Sequence, residues 1–139
     1  MPEFQLHRQL ETDASFVIDL PLSQCRLINN QNFPWLLLIP RLANAVELID
    51  LSIVDQQQLL LEVNIVAKVL RHEFPCDKLN IATLGNMVPQ LHVHVIARVK
   101  NDIVWPNPVW GSACTPYSPE LLQNQVMRLK TAIDNFKKP

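Results

Sequence analysis

The run LHVHVIARV, residues 91–99, limits what this chain can fold into more than any other stretch. Alternate side chains of a strand share a face. Leu91, Val93, Val95, Ala97 and Val99 make one wholly apolar face, which must point into a core. Gln90, His92, His94 and Arg98 fall on the other, with Ile96 interrupting the polar row. The chain has four histidines, and two of them stand here. Successive members of that row lie roughly 6.5–7 Å apart along the strand.

That spacing suits contacts to neighbouring oxygens of one polyanionic ligand. Two other assignments fit it as well. Histidines on an exposed strand face can simply be solvated. Two strand histidines can also chelate zinc or iron, but a third ligand is then needed, and no cysteine or acidic residue lies within a few positions. The segment 78–84 reads as the preceding strand and GNMVP (85–89) as its connection. A tight connection would set Asn80 opposite His94 on the polar face. Asn86 would sit in the loop, where backbone N–H groups can also receive phosphate oxygens.

The remaining elements follow from periodicity and punctuation. Eleven prolines against two glycines mean that proline shapes most loops. SFVIDL (15–20) and CRLIN (25–29) read as strands around a Pro21 turn, and WLLLI (35–39) as a buried strand ended by Pro40. Ser52 and Asp55 form a capping pattern for a long helix. Leu59, Val63, Val66 and Leu70 line its face, and Pro75 closes it. Ser118, Pro119 and Glu120 open a last helix over about 118–137. Its stripe is Leu122, Val126, Leu129, Ile133 and Phe136. Hairpin-like strands with two helices predict an α+β domain, an antiparallel sheet with helices packed on it.

At 139 residues the chain is expected to be a single domain, 1–139. A hydrophobic content of 48% with 18% charged residues excludes a disordered chain. The net charge of −1 points to no nucleic-acid or membrane partner. Cys25, Cys76 and Cys114 form neither a disulfide framework nor a CxxC pair. MPEFQLHRQL lacks a signal pattern, and WLLLI falls far short of the roughly 20 residues a membrane span needs. A cytoplasmic location is expected.

GNMVPQLHVHVIAR (85–98) resembles the signature of the histidine triad (HIT) superfamily of nucleotide hydrolases and transferases, in a bacterial form. The signature is His-φ-His-φ-His-φ-φ, with φ apolar, often followed by Pro-Arg or Gly-Arg. RLINNQNFPWLLLIPR (26–41) is similar to the family's early polar loop and next strand, and DKLNIATLGN (77–86) to the strand and turn before the triad. The resemblance covers about residues 20–110. The first triad position holds Gln90 in place of histidine, and Ala97-Arg98 replaces Pro-Arg. His92 falls on the middle position, the family's nucleophile, and His94 on the third, beside the phosphates.

The resemblance implies a five-stranded antiparallel sheet with a long helix and a C-terminal helix, assembled as a homodimer. It implies attack by His92 on the α-phosphorus of a bound nucleotide, through a nucleotidyl-histidine intermediate. The substrate would be a dinucleoside polyphosphate, a nucleoside phosphoramidate or a similar adenylated compound. Gln90 would help to hold the neighbouring imidazole. Asn80 and Asn86 would meet the phosphoryl oxygens; Asn29, with Asn30 close by, would hold the sugar. No Walker glycine loop or acidic cluster occurs, so no metal or other cofactor is expected, apart from magnesium carried by a polyphosphate substrate. Because Gln90 cannot carry a proton charge, the alternative is a nucleotide-binding protein with little turnover. A motive for dimerisation lies in the first long helix, where Leu60, Leu61, Ile65 and Ala67 extend the apolar surface beyond one stripe. An uncovered sheet edge adds a second. The C-terminal helix could instead cover that surface within one chain. Trp105 and Trp110 are candidate contacts across the dimer.

Overall fold

The computed structural model describes residues 2–137. Its sheet is built from β1 (Ala14–Asp19), β2 (Ser23–Ile28), β3 (Trp35–Pro40), β4 (Lys78–Ala82) and β5 (Val93–Arg98). The strand order is β1-β2-β3-β5-β4, and every pairing is antiparallel. The expected α+β architecture is therefore the observed one. Pro21 does lie in the first turn, which the Leu20 N–H closes on the Ser23 carbonyl at 2.8 Å.

Among the described residues, three α-helices accompany the sheet: α1 (Arg8–Asp13), α2 (Ile53–Glu73) and α3 (Pro119–Phe136). The Ser52 hydroxyl accepts from the Asp55 N–H at 3.1 Å, capping α2 as its sequence predicts. The stripe Leu59, Val63, Val66 and Leu70 is buried. In α3, Leu129 and Ile133 are buried and Leu122 and Val126 partly so, but Phe136 is 45% exposed and leaves the stripe. The sequence gives no sign of α1. It has six residues and one buried side chain, Leu10, so no apolar period can form. His7 caps it, its Nδ1 accepting from the Gln9 N–H at 3.0 Å.

The central strands β3 and β5 are covered on both faces, so the histidine row does not lie on an exposed strand face where its side chains would be solvated. Leu36, Leu38, Val93 and Val95 pack with α2 and α3. Trp35, Leu37, Ile39 and Ile96 pack on the opposite side with Leu10, Phe33 and Val109. His92 and His94 are each 5% exposed, and Arg98 is 1% exposed. A buried guanidinium needs partners for its donors. Arg98 donates to both Asp102 carboxylate oxygens at 2.7 and 3.2 Å, to Asn80 Oδ1 at 2.9 Å and to the Asn107 carbonyl at 2.8 Å. The rings of Phe33 and Trp105 each lie 5.5 Å from it. Its guanidinium in turn holds the Asp102 carboxyl below the usual carboxylate range.

The other core contains its own buried charge. The carboxylate of Glu62, on α2, is fully buried. It accepts from the backbone N–H groups of Leu22 and Ser23, each at 2.8 Å, and from Gln58 Nε2 at 2.8 Å. Two of the three bonds tie the long helix to the β1–β2 turn. Burial and this neighbouring carboxylate push the Cys25 thiol up to about 12, so Cys25 is inert packing. Glu62→Ala is expected to strand two buried N–H donors and cost on the order of 3 kcal/mol. Urea unfolding should show a matching fall in midpoint at unchanged slope; an unaltered midpoint would remove Glu62 from the frame.

Candidate active site

A cleft of about 740 Å³ opens on the histidine side of the sheet. Its wall takes in His92, His94, Asn29, Asn30 and Trp110, with Leu84–Val88 along one lip and Leu10, Thr12 and Asp13 along another. The sheet supplies the two imidazoles, while loops and α1 supply the enclosure.

The partners of each imidazole fix its proton. His92 Nδ1 lies 2.6 Å from the Gln90 carbonyl oxygen. A carbonyl only accepts, so Nδ1 carries the hydrogen, and in the neutral ring Nε2 keeps the lone pair. For His94 the assignment reverses. The Trp35 indole N–H, which can only donate, reaches His94 Nδ1 at 3.0 Å. His94 Nε2 donates to the Leu84 carbonyl at 2.8 Å. Both nitrogens of His94 are engaged, which leaves none for a metal ion or a phosphate oxygen. The two rings stand edge to face, centroids 4.9 Å apart. Trp110 meets His94 edge-on from another side at 5.1 Å. Burial first, and then the proximity of His92, push the His94 pKa down to about 4 against the opposing pull of the Leu84 bond.

Gly85 fits closely against the same ring. A Cβ there would stand 2.8 Å from His92 Cε1 and 3.2 Å from the Val88 carbonyl oxygen. The loop can follow the imidazole only because residue 85 has no side chain.

The sequence-predicted site residues divide. His92, His94, Asn29, Asn30 and Asn86 do meet at the cleft. Asn86 is exposed on the lip. Asn29 Oδ1 is taken by the Tyr117 N–H at 2.9 Å, which leaves its Nδ2 as the group free to face a ligand. Asn30 is buried, and its Oδ1 accepts from the N–H groups of Asn32 and Thr115 at 3.1 and 3.3 Å. These two amide oxygens hold residues 115 and 117 across the loop.

Asn80 is not brought in. It pairs with Ile96, while Ala82 stands opposite His94, because the connection is longer than a tight hairpin. Its amide serves Arg98 instead. Gln90 also departs from expectation: its carboxamide does not line the cleft but bonds to residues 5 and 7. Trp105 and Trp110 pack within the chain, against Arg98 and His94.

Sequence reasoning missed the Gln90 and Leu84 carbonyls, Trp35, and Gly85. Main-chain acceptors leave no mark in a sequence. Gly85, as one of two glycines in the chain, is the one that did.

The His94 shift has a consequence for stability. An unfolded histidine titrates at about 6.5, above the folded value of about 4. Between those values the unfolded chain binds more protons. The stabilisation is therefore complete above about pH 6.5 and drains away as pH falls toward 4. Urea unfolding at about pH 7.5 and pH 5 should show a smaller acid-side loss for His94→Asn than for the natural chain. Equal losses would assign the effect to another group.

A family model described as HIT domain matches residues 9–101. A histidine triad protein of Bradyrhizobium japonicum is 47% identical, with a TM-score of 0.91 over 95% of this chain and 99% of that one. One of Marinobacter aquaeolei VT8 is 36% identical, with a TM-score of 0.93 over 97% and 99%. At 21% identity, the diadenosine triphosphate hydrolase of Plasmodium falciparum shares the fold, with a TM-score of 0.64 over 96% and 84%. No protein with a curated description matches. With two thirds of its length under that model and the match in fold carried by nearly the whole of it, the chain belongs to the histidine triad (HIT) family.

Proposed function

We propose that this protein is a nucleotide-binding hydrolase or nucleotidyl transferase that cleaves at the α-phosphate of a dinucleoside polyphosphate, a nucleoside phosphoramidate or a similar adenylated compound. The observation that carries the proposal is the geometry of His92: an imidazole on the cleft wall whose Nδ1–H is held by the Gln90 carbonyl, so that Nε2 is the nitrogen left to meet a ligand. The name of the Plasmodium neighbour, a diadenosine triphosphate hydrolase, supports the substrate class.

In the proposed reaction the Nε2 lone pair attacks the α-phosphorus. A P–N bond forms as the bond to the leaving group breaks, and that group departs with the electron pair and takes a proton from solvent. The ring becomes positively charged, and the short bond to the Gln90 carbonyl favours that charge because hydrogen bonds to charged groups are the stronger kind. Water or another acceptor then attacks phosphorus, releases the nucleoside monophosphate and restores neutral His92. One hard displacement is divided into two easier ones. His94 supplies no proton; it is neutral and saturated, and it holds the His92 ring in place. Asn29 Nδ2 and the amide of Asn86 are the neutral donors proposed for the sugar and phosphate oxygens. Magnesium would enter only with a polyphosphate substrate.

One observation favours a second reading, a nucleotide-binding protein with little turnover. No imidazole other than His92 has a free nitrogen in the cleft, so none stands ready to protonate the leaving group. His92→Ala separates the two. It is expected to abolish hydrolysis of a fluorogenic adenosine phosphoramidate and the acid-labile, base-stable adduct formed with radiolabelled nucleotide. Because His92 is buried and its removal strands the Gln90 carbonyl, Tm should fall by roughly 3–10 °C, about 1–3 kcal/mol. Full activity in the variant would remove His92 as nucleophile. Nucleotide binding by the natural chain without any adduct would favour the second reading.

The proposed assembly is a homodimer through α2 and the β4 edge of the sheet. Leu60 and Leu61 are 61% and 58% exposed, and a groove between α2 and β4 adds Ile81 at 50%. Ile65 and Ala67 pack toward the core instead, so the unpartnered strip is narrower than the sequence indicates. Sedimentation equilibrium at micromolar concentration should give about twice 15.9 kDa, and Leu60→Lys should return the mass toward 15.9 kDa. The monomer mass at every concentration would exclude the dimer.

A further inference from the structure

The carboxamide of Gln90 faces away from the cleft. Its Oε1 accepts from the His7 backbone N–H at 2.8 Å, and its Nε2 donates to the Gln5 carbonyl at 2.9 Å. The donor and the acceptor on the arm fix which atom is which. An amide presents its oxygen and nitrogen along one edge, as a backbone peptide group does toward a neighbouring strand. An imidazole presents its two nitrogens in widely divergent directions. A histidine at position 90 could make one of these bonds, not both.

What the amide holds continues into the cleft wall. His7, anchored through its N–H, caps α1 with its own ring. Phe4 and Leu6 pack on the core beneath, and Leu10 is buried in it. Leu10, Thr12 and Asp13 then line the cleft. The Asp13 carbonyl accepts from the Asn29 N–H at 3.1 Å, which ties the end of α1 to the loop proposed for the sugar. A helix of six residues cannot hold itself together in water, since its nucleation cost is not met at that length. Its place depends on what clamps it.

We propose that Gln90, at the first triad position, is a positioning residue that clamps the N-terminal arm and so holds α1 as one wall of the nucleotide cleft. This rests on the nucleotide reading of the cleft, but the clamp is tested apart from it. Gln90 touches neither His92 nor the reacting atoms through its side chain. Its loss should weaken binding and leave the chemical step alone.

The experiment compares the natural chain with Gln90→His, Gln90→Leu and His92→Ala. Native-state hydrogen exchange at the His7 amide needs no turnover. It should accelerate roughly 10-fold or more in both Gln90 variants, with the α1 amides following, and stay at the natural rate in His92→Ala. Adenosine monophosphate, titrated against tryptophan fluorescence, should bind several-fold more weakly to both Gln90 variants. With the fluorogenic phosphoramidate, KM should rise roughly 3–10-fold and kcat stay within about twofold. Unchanged His7 exchange in both variants would overturn the clamp. So would a Gln90→His protein with raised kcat and unaltered KM, as a residue acting on the His92 imidazole would give. A natural chain that exchanges and binds as described but never turns over would end the hydrolase reading and leave the clamp standing.

Discussion

The site depends on β5 being buried on both of its faces. One face meets α2 and α3, and the other meets Trp35, Phe33, Val109 and α1. The side chains of His92, His94 and Arg98 are therefore largely buried, and most of their polar groups find partners inside the chain. Arg98 cannot lose its charge and meets it with Asp102. The histidines can lose theirs, and for His94 desolvation drives the pKa down. What remains is a matter of which nitrogen holds the hydrogen, and fixed partners decide it: two carbonyls and one indole N–H. The tautomer of His92 is thus set by backbone geometry as much as by its own side chain.

The cover over that face is assembled from parts with little structure of their own. The segment 102–117 contains prolines and two tryptophans and no helix or strand. It is fixed by Arg98 at one end, through Asp102 and Asn107, and by the carboxamides of Asn29, Asn30 and Asn32 at the other. Polar residues that a loop would normally turn to solvent here serve as fasteners for another loop. The asparagines near the cleft are consequently half committed before any ligand arrives.

Elements with a period were legible in the sequence: the five strands, α2 with its Ser52 cap and α3 with its Ser118 cap. The alternation in β5 was legible too, but its meaning was not. Histidine and arginine on one face look like a solvent face, because pattern alone cannot show that Trp35, 59 positions away from His94, will cover them. Asn80 was misplaced by two residues along β5, since the length of the 83–92 connection is not readable from turn residues. Short α1 carries too few residues for a signal. In the candidate site, His92 and His94 could be found by resemblance and spacing. Gln90 could be found but not interpreted, because an amide offers no hint of whether it turns toward a ring or toward a strand.

The charge of the cleft follows from the same economy. Of the residues that line it, Asp13 is the one acidic residue, and no lysine or arginine is among them. A multiply charged ligand entering such a cleft would meet dipoles, not cations. Dipoles act over short range and depend on aim, whereas surface cations attract from a Debye length of about 8–10 Å. On the proposed reading, recognition would come from donors held at fixed positions: the Asn29 amide fixed by Tyr117 and the loop pressed against His92 at Gly85. A wall that drifts would lose such contacts at once, while a cationic wall would tolerate the drift. On the proposed nucleotide reading, the rigidity of the arm, α1 and the strap 113–117 would be part of the binding chemistry and not merely packing around it.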